Sequence, residues 1–70
     1  MLDVLEYYVG PDKKAAEKVL AAVKADPGAI NPAIQDRYGD LTVTFGVTKS
    51  ETKERIVSML FANFPDGFVC

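Results

Sequence analysis

Residues 34–47 read IQDRYGDLTVTFGV, and this stretch decides the fold. Leu41, Val43, Phe45 and Val47 alternate with Thr42, Thr44 and Gly46. That period of two marks a strand with one apolar and one polar face. Ile34 to Tyr38 forms a second run just before it, and Gly39-Asp40 supplies a two-residue hairpin turn with glycine first. A loop of this length pairs Tyr38 with Leu41, Asp36 with Val43 and Ile34 with Phe45, so these residues share a face. Asp36 then lies on the core side, where a charge is tolerated at an edge and discourages further pairing. The first strand of the hairpin is therefore expected at a sheet edge. A three-residue loop would turn Gln35 and Arg37 inward, which is worse.

Working outward, Leu2 to Val9 reads as another strand, ended by Gly10-Pro11. Its apolar residues fall on both parities, which suits a central strand. Glu6 interrupts the Leu2, Val4 and Tyr8 set, so that set is assigned to the outer face and Leu5, Tyr7 and Val9 to the core. Asp12 to Ala25 reads as a helix. Ala15, Ala16, Val19, Leu20 and Val23 form its apolar stripe, Pro11 suits the first turn and Asp12 suits the positive end of the helix dipole. Asp26-Pro27-Gly28 stops it, and Ala29 to Ala33 reads as a connection broken by Asn31-Pro32. A second helix is expected over Thr48 to Phe64, opened by a capping box at Thr48 to Glu51 with Ser50 as the rival cap. Ile56, Val57, Leu60, Phe61 and Phe64 form its stripe. Pro65-Asp66-Gly67 reads as a turn, and Phe68-Val69-Cys70 as a short last strand antiparallel to the first.

The order β-α-β-β-α, with a short C-terminal β, defines one α+β domain over residues 1–70. It resembles the ferredoxin-like split βαβ layout, a two-layer sandwich. In that layout the first and third strands are expected to be central and parallel, with the second and last strands at the edges. The chain carries no recognisable family motif, sustained repeat or internal linker.

Composition narrows the function. Eight basic against ten acidic residues give a net charge of −2. No basic run exists to release phosphate counterions, so nucleic acid is not an expected partner. Nor does the third strand offer aromatics on its outer face for stacking bases. With no histidine and one cysteine, no metal site, no other cofactor and no ordinary acid–base or nucleophilic centre is expected. The lone Cys70 argues for a reducing cytoplasm. Met1-Leu2-Asp3-Val4 has no basic region, and Asp3 and Glu6 interrupt it, so no signal peptide is expected. No apolar run is long enough to span a bilayer, so no membrane partner is expected.

The leading expectation is a small non-enzymatic interaction or assembly module, a homodimer or part of a larger assembly. Met59, Phe68 and Val69 are its candidate interface residues, being more apolar than one helix face and a tail require. The alternative is a small-molecule-binding regulatory module of the same fold, with Gly10, Pro11 and Asp12 as the ligand loop before a helix N-terminus. Asp36 and Tyr38 would support an enzyme only if they closed a polar pocket.

The third-strand reading makes Phe45 a core residue. Phe45→Ala should lower unfolding free energy by about 3–5 kcal/mol in chemical denaturation. That is comparable to the whole stability of so small a domain.

Overall fold

Alternation and helical periodicity fold the chain into β1 (Asp3–Gly10), α1 (Lys13–Lys24), β2 (Ile30–Arg37), β3 (Asp40–Val47), α2 (Ser50–Asn63) and β4 (Phe68–Val69). This is a computed structural model, and it describes residues 2–69. The strands form one antiparallel sheet in the order β2-β3-β1-β4. Both helices cover one face, giving a ferredoxin-like α+β sandwich. Cys70, expected in the last strand, lies outside the described residues.

β1 and β3 are the central pair, but they run antiparallel, not parallel as expected. The reason is topological. The α1 crossover returns the chain parallel to β1, two places away at β2. The hairpin then reverses it, so the strand that slots between them opposes β1.

The hairpin turn also differs by one residue from the sequence reading. Arg37 pairs with Asp40, which leaves Tyr38-Gly39 as the loop. Both carry positive φ, 55° and 88°, the signature of a type I′ turn, whose twist matches that of the strands. Asp36 pairs with Leu41 and Ile34 with Val43. The pairing slips by two, so each residue keeps the face assigned to it. Asp36 is nevertheless exposed, and its carboxylate accepts the Gly39 N–H at 3.0 Å. It brackets the turn beyond the helices' reach.

Asn31-Pro32 does not break β2 but sits inside it. Pairing jumps from Ile30–Gly46 to Ala33–Thr44, a one-residue bulge with Asn31 at φ 48°. An edge strand tolerates proline because its outward N–H has no ladder partner. Pro11 lies outside α1. Asp12 is the N-cap, accepting from the N–H groups of Lys14 and Ala15. The expected capping box of α2 does not form either: the helix starts at Ser50 after Lys49, with no side-chain cap.

The core joins Leu5, Tyr7, Val43, Phe45 and Val47 of the sheet to Ala16, Val19 and Val23 of α1 and Ile56 and Leu60 of α2. Val9, Leu20 and Val57 are partly buried against it. Phe61, expected inside, is 44% exposed, with only its edge against the Tyr7 ring at 5.9 Å. The buried stripe of α2 is Thr52, Ile56 and Leu60, and Thr52 packs where Gly28 approaches too closely for any side chain.

Tyr38 is a fully exposed aromatic residue held at positive φ, where asparagine is the better-tolerated L residue. Tyr38→Asn should raise stability by about 1 kcal/mol. A matching rise in the urea midpoint, with an unchanged slope, checks this.

Candidate functional site

Two regions carry the chemistry, one on each side of the sheet. The face opposite the helices has no covering layer. Across its rows stand Val4, Gly46 and Ile30, then Glu6, Thr44 and Ala33, then Phe68, Tyr8, Thr42 and Gln35, then Asp40 and Arg37. Val4 is 67% exposed, Leu2 and Phe68 are each 52% and Ile30 is 37%. Because Gly46 has no side chain, Leu2 folds down over it. Val4 and Ile30 complete a shallow apolar depression of about 180 Å³.

Farther along the face, Arg37 reaches over β3 to Glu6 at 3.2 Å and to Gln35 at 3.4 Å. The row between Arg37 and Glu6 holds Thr42, so this pair roofs it. That explains why Thr42 is 6% exposed on a side where it was read as open. Tyr8 and Phe68 stack with centroids 4.9 Å apart and planes at 25°.

On the helix side, a cleft of about 260 Å³ opens between the start of α1, the last turn of α2 and the Pro65-Asp66-Gly67 turn. Tyr7 forms its floor. The Tyr7 hydroxyl donates to the Phe64 carbonyl at 2.5 Å, with the Leu60 carbonyl at 3.5 Å. Gly67 is required there, since a Cβ would stand 2.5 Å from the Tyr7 ring and 2.7 Å from the Tyr8 carbonyl. Burial, and then the negative charge of Asp66, push the Tyr7 pKa above the ordinary tyrosine value.

The candidate interface residues do not form one surface. Phe68 stands on the open face, while Val69 pairs with Tyr7 and points toward the core. Met59 packs on the core from the helix layer, beside a shallow groove with Ala22, Ala25 and Pro27. At that groove Arg55 grips Asp26 through two 2.9 Å bonds, and Asp26 also accepts the Gly28 N–H at 2.9 Å. The hydrogen bonds from Arg55 and then Gly28 hold the Asp26 carboxyl below the usual range. This contact ties the end of α1 to α2.

Of the candidate ligand loop, Gly10 takes φ 104° at a bulge in β1, and Asp12 lines the cleft. The Asp12 carboxylate already occupies the helix N-terminus, so an anion is disfavoured there. Asp36 and Tyr38 are both exposed at the hairpin tip, with no closed pocket between them. Among the described residues, no group of three or more cysteine, aspartate and glutamate side chains converges to hold a metal ion. Among the described residues, no helix is long and apolar enough to cross a membrane.

Leu2, Val4, Tyr8, Thr42 and Thr44 of the open face were legible as outward-facing, whereas Ile30 and Ala33 were read as part of a connection and join the face only because β2 starts at Ile30. The cleft was not legible, because Tyr7, Asp12 and Asp66 meet only in three dimensions. No family model matches the chain, and no curated protein or solved structure matches it.

The raised Tyr7 pKa fixes a sign for alkaline stability. The unfolded chain ionises first, so the stability present below the unfolded value, about pH 10, is lost as pH rises toward the folded value. Wild-type stability should therefore fall above about pH 10, and Tyr7→Phe should flatten that fall. Losing the hydroxyl should cost about 1 kcal/mol at neutral pH. Urea titrations across the alkaline range read both effects.

Proposed function

We propose that the protein is a small non-enzymatic interaction module that associates with a second copy of itself through the open face of its sheet. The observation that carries this reading is the exposed cluster of Leu2, Val4 and Ile30 on a face with no layer of its own, with Phe68 exposed beyond the Glu6 row. Contiguous apolar surface of this kind marks interaction sites.

The size of the face sets the expected strength. Eight-residue strands are about 26 Å long and lie about 4.8 Å apart, so the face spans roughly 400–500 Å² per copy. A stacked pair covers about 800–1,000 Å², the low end for specific association, which implies a weak, concentration-dependent dimer. The Glu6–Arg37 pair crosses the face beside this cluster, partly hydrated, and a second copy seated there would have to meet it with polar groups.

A protein partner suits this face better than nucleic acid. Its one arginine is engaged by Glu6, Asp40 stands beside it, and the two rings stack on each other. Asp36, the carboxylate an enzyme reading would need, serves as a turn bracket. The lone cysteine supports a cytoplasmic setting.

Sedimentation across micromolar to millimolar protein tests the proposal. The parent chain should shift from monomer to dimer. Val4→Glu should remain monomeric while keeping the parent's circular dichroism, because Val4 contributes little to the core. Ala21→Glu, on the exposed side of α1, should dimerise like the parent. A parent that stays monomeric throughout, or a Val4→Glu chain that dimerises normally, would sink the proposal.

A further inference from the structure

We infer that the uncovered edge of β1, from Asp3 to Glu6, binds an extended peptide of another protein as an added antiparallel strand, an apolar segment that carries lysines. β3 runs along one side of β1, but on the other side β4 pairs only with Tyr7 and Tyr8. A Cβ on Gly67 would stand 2.7 Å from the Tyr8 carbonyl, so that carbonyl points to the β4 side. Backbone groups alternate sides along an antiparallel strand, so the N–H and C=O of Glu6 and Val4 point the same way. Among the described residues, no strand stands beside them. Unpaired donors and acceptors at strand spacing are matched by another extended backbone. The stretch also lacks the devices that blunt the β2 edge, having neither proline nor bulge.

α2 supplies an apolar flank above this edge. Arg55 and Met59 line the groove on its α1 side, so Val57 and Phe61, two residues on from each, lie on the opposite flank. Phe61 meets the Tyr7 ring of β1 there and is otherwise half-exposed. α2 runs along β1, from the end where Val47 pairs with Asp3 to the end where Phe68 pairs with Tyr8. Four helix residues and two strand residues both advance about 6 Å, so Val57 stands level with Leu5. An added side chain opposite Leu5 would pack under Val57 and Phe61. Asp3 and Glu6 are the charged residues of the stretch, which favours basic residues opposite them. A second copy has no comparable strand to offer, since its β2 edge is bulged at Asn31-Pro32 and its β1 edge is flanked by its own β4. The added strand uses the backbone of Val4, not its side chain, so this inference stands or falls separately from association through the open face.

Amide-resolved NMR titration of dilute, full-length chain with the peptide acetyl-Lys-Leu-Val-Lys-Val-amide tests it. In the antiparallel register its first four residues lie opposite Glu6, Leu5, Val4 and Asp3. Saturable shifts should appear at the amides of Val4, Glu6, Val57 and Phe61. Methylating the nitrogen of the peptide's first valine removes the donor to the Val4 carbonyl and should weaken binding tenfold or more. Replacing both peptide lysines by glutamate should also weaken it, as should Phe61→Ser, whose unchanged peak dispersion shows that it remains folded. The inference is overturned if ten millimolar peptide gives no saturable shift at these amides, or if the methylated peptide binds like the parent peptide. It is also overturned if the Val4→Glu chain, concentrated without peptide, pairs with itself through the Val4-position and Glu6 amides, which would make a second copy the occupant of the edge.

Discussion

A buried phenol holds the carboxyl-terminal third of this domain in place. Tyr7 stands on a central strand with its ring in the core, and its hydroxyl reaches the end of α2. A tyrosine can bury its ring only if the hydroxyl finds a partner. The carbonyls at the end of a helix are partners in need of donors. Each satisfies the other, and the bond fixes where α2 stops. Gly67 then packs against the same ring, which brings the chain alongside β1 as β4. A short strand that could not hold itself by ladder bonds is thereby positioned by a side chain more than fifty residues away.

The two surfaces of the sheet have different physical roles. The helix side is dry and closed by Val19, Val23, Ile56 and Leu60. The open side is divided between an apolar end near Val4 and a polar end where Arg37 crosses to Glu6. The β2 edge is unsuited to adding another strand: Pro32 lacks an N–H, Asn31 kinks the backbone, and Asp36 places a charge near the turn. These features discourage strand addition at that edge.

The helix ends show a related asymmetry. The positive start of α1 is neutralised locally by Asp12. The negative end of α2 receives a neutral phenol proton instead of a lysine or arginine, and Asp66 adds a further negative charge beside it. Packing thus leaves an acceptor-rich corner beside apolar wall, a consequence of how two helix ends converge over one tyrosine.

The local pattern of the chain determined the elements and their faces. Leu41 to Val47 announced a two-sided strand, the α1 stripe announced its buried side, and Asp12 announced the helix start. Even the misplaced hairpin turn left the faces intact, because a slip of two residues preserves strand parity. Periodicity is a property of neighbours along the chain, so it carries this much. Tertiary structure decided what depends on distance through space. It set β1 antiparallel to β3, buried Thr52 while leaving Phe61 half-exposed, and roofed Thr42 with a pair of residues 31 positions apart. It also brought Tyr7, Asp12 and Asp66 to one cleft, since only the packed arrangement of the sheet and both helices determines which side chains meet there.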